Sequence, residues 1–208
     1  MLDEMPSALA GVWDTALLAP IAEINQALLE ALRTAALDPG RPRLPRLLLT
    51  LRADWARLDQ AALERAAACP YLLLDAGLAH PSFGESPLRG VMDAPMNGYL
   101  SAAEGLALVR RTLLLGWHLA RSNRLAARVL LGMNGQVAQR LAVSRLQELD
   151  QLAERAAASV VPRWEQQPGV WQQLLRAARR GPTPELRAAH LRGLQLLAAT
   201  CGGEAGSC

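Results

Sequence analysis

Apolar residues recur at steps of three and four along most of this 208-residue chain. Ile21, Ile24, Leu28, Leu29 and Leu32 form one such stripe. It predicts an amphipathic helix over residues 20–37. The prolines of DPGRPRLP, residues 38–45, end that helix, because proline lacks a backbone N–H and clashes with the preceding turn. A helix can resume over residues 47–58. Asp59 is placed to cap another over residues 60–68, which Cys69-Pro70 stops. Residues 71–74 fit either a last helical turn or a short buried strand. Residues 75–98 are rich in Gly and Pro, and a loop of that length is functional or a domain boundary. The boundary is placed near residue 95.

The second half starts with Ser101 and Glu104 at capping-box spacing. They open a long helix to about Asn123. Leu106, Val109, Leu113 and Trp117 make one stripe on it, and Leu108, Leu115 and Leu119 broaden that stripe. So wide an apolar arc is buried or pairs with a partner, and the first four residues are the expected oligomer interface. Residues 125–131 follow as a helix, with Gly132 as a left-handed stop. Residues 134–154 read as two short helices joined at Val143-Ser144. An extended VVPRW comes next, then a helix over residues 170–180. Thr183 and Pro184 open the last helix. No internal repeat of fixed period is visible. The predicted class is all-α, with a helical region at 1–95, a helical domain at 96–200 and a flexible tail at 201–208.

Composition supports helix over strand. Hydrophobic residues make up 51% and aromatics 4%, and Ala and Leu dominate. All 22 basic residues are Arg. They are uneven: residues 1–100 hold 8 Arg against 12 acids, and residues 101–208 hold 14 against 7. That asymmetry directs a search for polyanion contact to the second half. The N-terminus shows no basic segment before an apolar run, and the apolar runs at 47–51 and 113–116 are too short for a bilayer. A cytoplasmic protein without membrane contact is expected. Cys69, Cys201 and Cys208 fit neither a disulfide framework nor a zinc pattern.

Catalysis needs a constellation, and none is present. His80, His118 and His190 stand in no metal-binding spacing, and there is no P-loop, dinucleotide fingerprint or nucleophile elbow. His80, in the loop segment AHPSF, is the best single candidate, but it lacks a second catalytic group. The expectation is a protein with no enzymatic activity, cofactor or metal.

Residues 134–154 also fit a helix-turn-helix. Ala138 is the small residue at the crossing, and Leu141 and Val143 flank the turn as core contacts. Ser144 caps the second helix, with Gln147 in the capping-box place. Two features depart from the usual pattern: Glu148 stands where an apolar residue is common, and Ala142 where Gly is common. Two packed helices without DNA contact fit the stretch about as well.

The order of features over residues 100–200 resembles the FlhD family of flagellar transcriptional regulators. A long apolar helix, LVRRTLLLGWHLARSNRLAARV, leads to Leu131-Gly132-Met133. VAQRLAVSRLQELDQLAE matches the helix-turn-helix-like segment, SVVPRW the extended one, and VWQQLLRAAR and LRAAHLRGLQLLAA, with His190, the closing helices. The resemblance implies an all-α subunit that dimerises through its long helix. It also implies a complex with an FlhC-like partner that binds promoter DNA and recruits RNA polymerase. Family members lack a counterpart of residues 1–95. They can carry a cysteine where this chain has Ala158-Ser159-Val160, and an Arg where it has Leu130. The expected function is a transcriptional regulator in a homodimer or hetero-oligomer. Its expected DNA contacts are Arg140, Ser144, Arg145 and Gln147, with Arg155 and Arg163 on phosphates. The alternative is a helical protein–protein adaptor without DNA contact.

Overall fold

The computed structural model describes residues 15–41, 43–84 and 98–202. Among these residues the fold is all-α apart from one two-stranded ladder. The first helices are α1 (Thr15–Leu37), α2 (Arg46–Thr50), α3 (Arg52–Ala56) and α4 (Gln60–Ala67). Strand β1 (Leu74–Asp75) follows. Then come α5 (Ala102–Ser122), α6 (Arg124–Leu131), α7 (Gly135–Val143) and α8 (Leu146–Ala156). Strand β2 (Val161–Pro162), α9 (Pro168–Arg180) and α10 (Pro184–Gly202) complete it.

Most of the caps read from the sequence form. Asp59 accepts from the Ala62 N–H at 2.7 Å. The Ser101 hydroxyl accepts from the Glu104 N–H at 3.3 Å, while the Glu104 carboxylate accepts from the Ser101 N–H at 2.7 Å. Gly132 ends α6 at φ 62°, a left-handed turn that glycine adopts at little cost. Residues 47–58 do not make one helix, because the chain breaks at Leu51 into α2 and α3. Residues 71–74 are extended: Leu74 pairs with Pro162 and Asp75 with Val161, antiparallel.

The boundary expected near residue 95 lies outside the described residues, and the described helices on either side of it share one core. α1 packs on α3, α4 and α5, and α9 packs on α3, α4 and α10. One cluster of buried side chains runs from Ile21 to Leu197. The Leu72 N–H donates to the Leu130 carbonyl at 2.9 Å, and the Arg163 N–H to that of Leu73 at 2.8 Å. Asn25 sits fully buried at the turn into β1. Its amide donates to the Ala67 and Tyr71 carbonyls and its oxygen accepts from the Leu73 N–H. These bonds satisfy a backbone stretch that no helix serves. α10 approaches closely at Gly193, where an added Cβ would fall 1.9 Å from the Tyr71 hydroxyl. Among the described residues, no helix is long and apolar enough to cross a membrane.

Candidate functional site

The helix-turn-helix-like pair is α7 and α8, joined by Ser144 and Arg145 alone. Its second helix is capped one residue later than the sequence suggests. Arg145 is the N-cap, and Glu148 rather than Gln147 reaches back, accepting from the Arg145 N–H at 2.9 Å. The Ser144 hydroxyl instead donates to the Arg140 carbonyl at 3.1 Å. Both helices lie against α5. Gly116 gives room there, since an added Cβ would come 2.8 Å from the Met133 methyl. Trp117 Nε1 donates to the Ser144 carbonyl at 3.0 Å and fixes the turn.

The structure separates the expected DNA-contacting residues into two groups. Arg145 and Gln147 are exposed at the start of α8. Arg140, Arg155 and Arg163 face inward. Arg140 donates to the Pro81 carbonyl and, at 3.1 Å, to that of Phe83. Arg155 donates to the Gly84 carbonyl at 3.2 Å. These two arginines hold the residue 77–84 loop against α7 and α8. Arg163 is buried, 6% exposed, and donates to the Leu72 and Leu131 carbonyls at 2.8 and 2.9 Å. A buried guanidinium engaged this way cannot meet a phosphate, so the expected phosphate contact at Arg163 is corrected to a core hydrogen-bonding role.

The long-helix stripe also needs correction. Val109 and Leu113 are fully buried in the chain's own core. Leu106 and Trp117 are half-buried and pack against that core. An interface residue must be reachable by a partner, and Val109 and Leu113 are not. The exposed side of α5 carries Leu114 instead, 48% exposed. Val143, expected as a core contact, is 83% exposed, and Leu146 is 57% exposed.

Leu114 lies on the side of α5 that meets α8, and Val143 and Leu146 flank the turn into α8. Arg110 on α5 pairs with Asp150 and Glu154 on α8, at 3.2 and 3.7 Å. Trp117 reaches Ser144 one turn beyond Leu114. Leu114 is therefore bracketed at the level of Leu146. Arg121 lies 4.6 Å over the Trp117 ring and edges this face with charge. Exposed apolar side chains gathered beside a rigid turn mark contact surfaces more often than isolated ones do.

Chemistry elsewhere is sparse. The cleft lined by Phe83, Val137, Arg140, Ser144, Leu152 and Arg155 holds about 240 Å³, below the usual size of a ligand pocket. His80 Nδ1 lies 2.6 Å from the Ser82 hydroxyl within one exposed turn, which makes it a local bond two residues long rather than part of a triad. Burial raises the Cys69 thiol to about 12, which suits packing rather than nucleophilic attack. Among the described residues no group of His, Cys, Asp or Glu could hold a metal ion.

The exposed face has only an ambiguous signal in the sequence. Val143 and Leu146 flank a two-residue turn, where an apolar residue can point either way. Comparison with family models, with curated proteins and with solved structures finds no match to this chain.

Proposed function

We propose that this chain is a helical protein-interaction subunit that docks a partner through the α7–α8 turn and the adjoining face of α5. The observation that carries the reading is Val143 at 83% and Leu146 at 57% exposure, beside a turn pinned by Trp117. The apolar centre and the arginine edge, Arg121 and Arg145, have the layout of a protein contact. The test is a peptide-display library selected on the full chain and counter-selected on Val143→Ser/Leu146→Asp. Enriched peptides that need both apolar residues support the reading. Enrichment that ignores them overturns it.

A second reading is a transcriptional regulator that meets DNA at this turn. The exposed Arg145 and Gln147 at the N-terminus of α8 favour it, as does the resemblance to the FlhD family. Under this reading, anisotropy with a random duplex falls steeply with salt, and Arg145→Ala/Gln147→Ala weakens it. Binding unchanged in that variant removes this reading.

A further inference from the structure

The loop of residues 77–84 lies against α7 and α8 and leaves two clefts beside it. One holds about 240 Å³, and its lining includes Val137, Arg140, Leu141 and Leu152. The other holds about 230 Å³, and its lining includes Ala76, His80 and Ala156. Phe83, Gly84, Leu152 and Arg155 line both and separate them. At this wall an added Cβ on Gly84 would fall 2.5 Å from Leu152 Cδ2. The bonds that hold the loop come from cations. Arg140 donates to the Pro81 and Phe83 carbonyls, and Arg155 to that of Gly84.

The charge around the first cleft is unbalanced. Arg155 is half-buried, and its second bond, from Nε, goes to the Gln151 carbonyl at 3.3 Å. Both of its acceptors are neutral. A guanidinium carries further N–H donors and binds a carboxylate more strongly than a carbonyl. Glu148 also lines this cleft, but its carboxylate is engaged by the Arg145 N–H at 2.9 Å. No acid lines the second cleft. Size narrows the choice further. Each cleft is smaller than a pocket for a drug-sized ligand. A cavity of about 150 Å³ lined by apolar side chains nonetheless takes up benzene. One ring, or a chain of similar bulk, therefore suits the space.

We infer that the cleft between the 77–84 loop and the α7–α8 pair binds a small apolar carboxylate about the size of one ring. The carboxylate meets Arg155, with Arg140 beside it. The apolar body lies on Val137, Leu141, Leu152 and Phe83. The second cleft leaves the Phe83 ring room to turn aside as the ligand enters. This site goes beyond the docking turn, because Val143 and Leu146 do not line it.

The test is an amide-shift titration of the full chain by NMR. Benzoate is the probe, and benzamide is its neutral counterpart of nearly the same shape. Benzoate should bind with a Kd of about 1 mM. Benzamide should bind about tenfold more weakly. The largest shifts should fall at Phe83, Gly84, Leu152 and Arg155. Arg155→Met keeps the apolar stem and removes the guanidinium. It should weaken benzoate about tenfold and leave benzamide unchanged. Val143→Ser/Leu146→Asp should bind benzoate as the parent does. Several results overturn the inference: no benzoate shifts at about 10 mM, equal affinity for benzoate and benzamide, shifts centred on other residues, or benzoate affinity indifferent to Arg155→Met. Loss of benzoate binding in Val143→Ser/Leu146→Asp also overturns it, since the ring would then sit on the exposed turn. Should Arg155→Met fail to fold, the benzoate–benzamide contrast in the parent decides by itself.

Discussion

The indole N–H of Trp117 donates to the carbonyl of Ser144 at 3.0 Å, across the contact between α5 and the turn joining α7 to α8. That bond orients the turn so that Val143 and Leu146 point to solvent. Trp117→Phe keeps most of the ring's packing and removes the donor. It should lower stability by about 1 kcal/mol, read as a shift in urea midpoint with unchanged slope.

Arg163 and Arg145 should respond differently to truncation. Arg163→Met leaves the Leu72 and Leu131 carbonyls without their guanidinium partner in the core. The expected loss is about 3 kcal/mol. Arg145→Ala, at an exposed cap, should stay within roughly 0.5 kcal/mol of the parent. Urea unfolding of the two variants side by side checks the contrast.

Leu113 and Leu114 are neighbours in sequence with opposite environments. Leu113→Ala opens a cavity in the core and should cost about 3 kcal/mol. Leu114→Ala, on the exposed side of α5, should cost well under about 1 kcal/mol. Equal effects would put the stripe back at an intermolecular interface.

The helical class and most caps were legible because they depend on local residues. Asp59, Ser101 with Glu104, and Gly132 each act within one turn of the backbone. The bond made by Arg163 was not legible, since its partners at Leu72 and Leu131 are distant in sequence. Nor was the single core: the Pro- and Gly-rich stretch before residue 98 reads as a linker, yet α9 crosses to cover Trp55. The α7–α8 pair was placed correctly, but its facing was not. Leu141 and Val143 both looked like core, and only Leu141 is buried. Arg140 and Arg155 looked like solvent-facing cations because carbonyl acceptors at 81–84 carry no sequence signature.

His190 sets a pH dependence. Burial holds its imidazole below the usual 6.5, and Nε2 is buried without a hydrogen-bond partner. The unfolded chain takes up a proton near 6.5, and the folded chain only at lower pH. Its contribution is therefore complete above about pH 6.5 and lost as pH falls below it. Urea midpoints at about pH 7.5 and about pH 5.5 should differ in the parent, and His190→Asn should narrow the gap.

The most direct measurement of the central claim is a hydrophobic-dye titration of the full chain beside Val143→Ser/Leu146→Asp. The account predicts saturable dye fluorescence with the parent and a loss of most of that signal in the folded variant. Equal signals from the two proteins, or none from either, would contradict an exposed docking face at the α7–α8 turn.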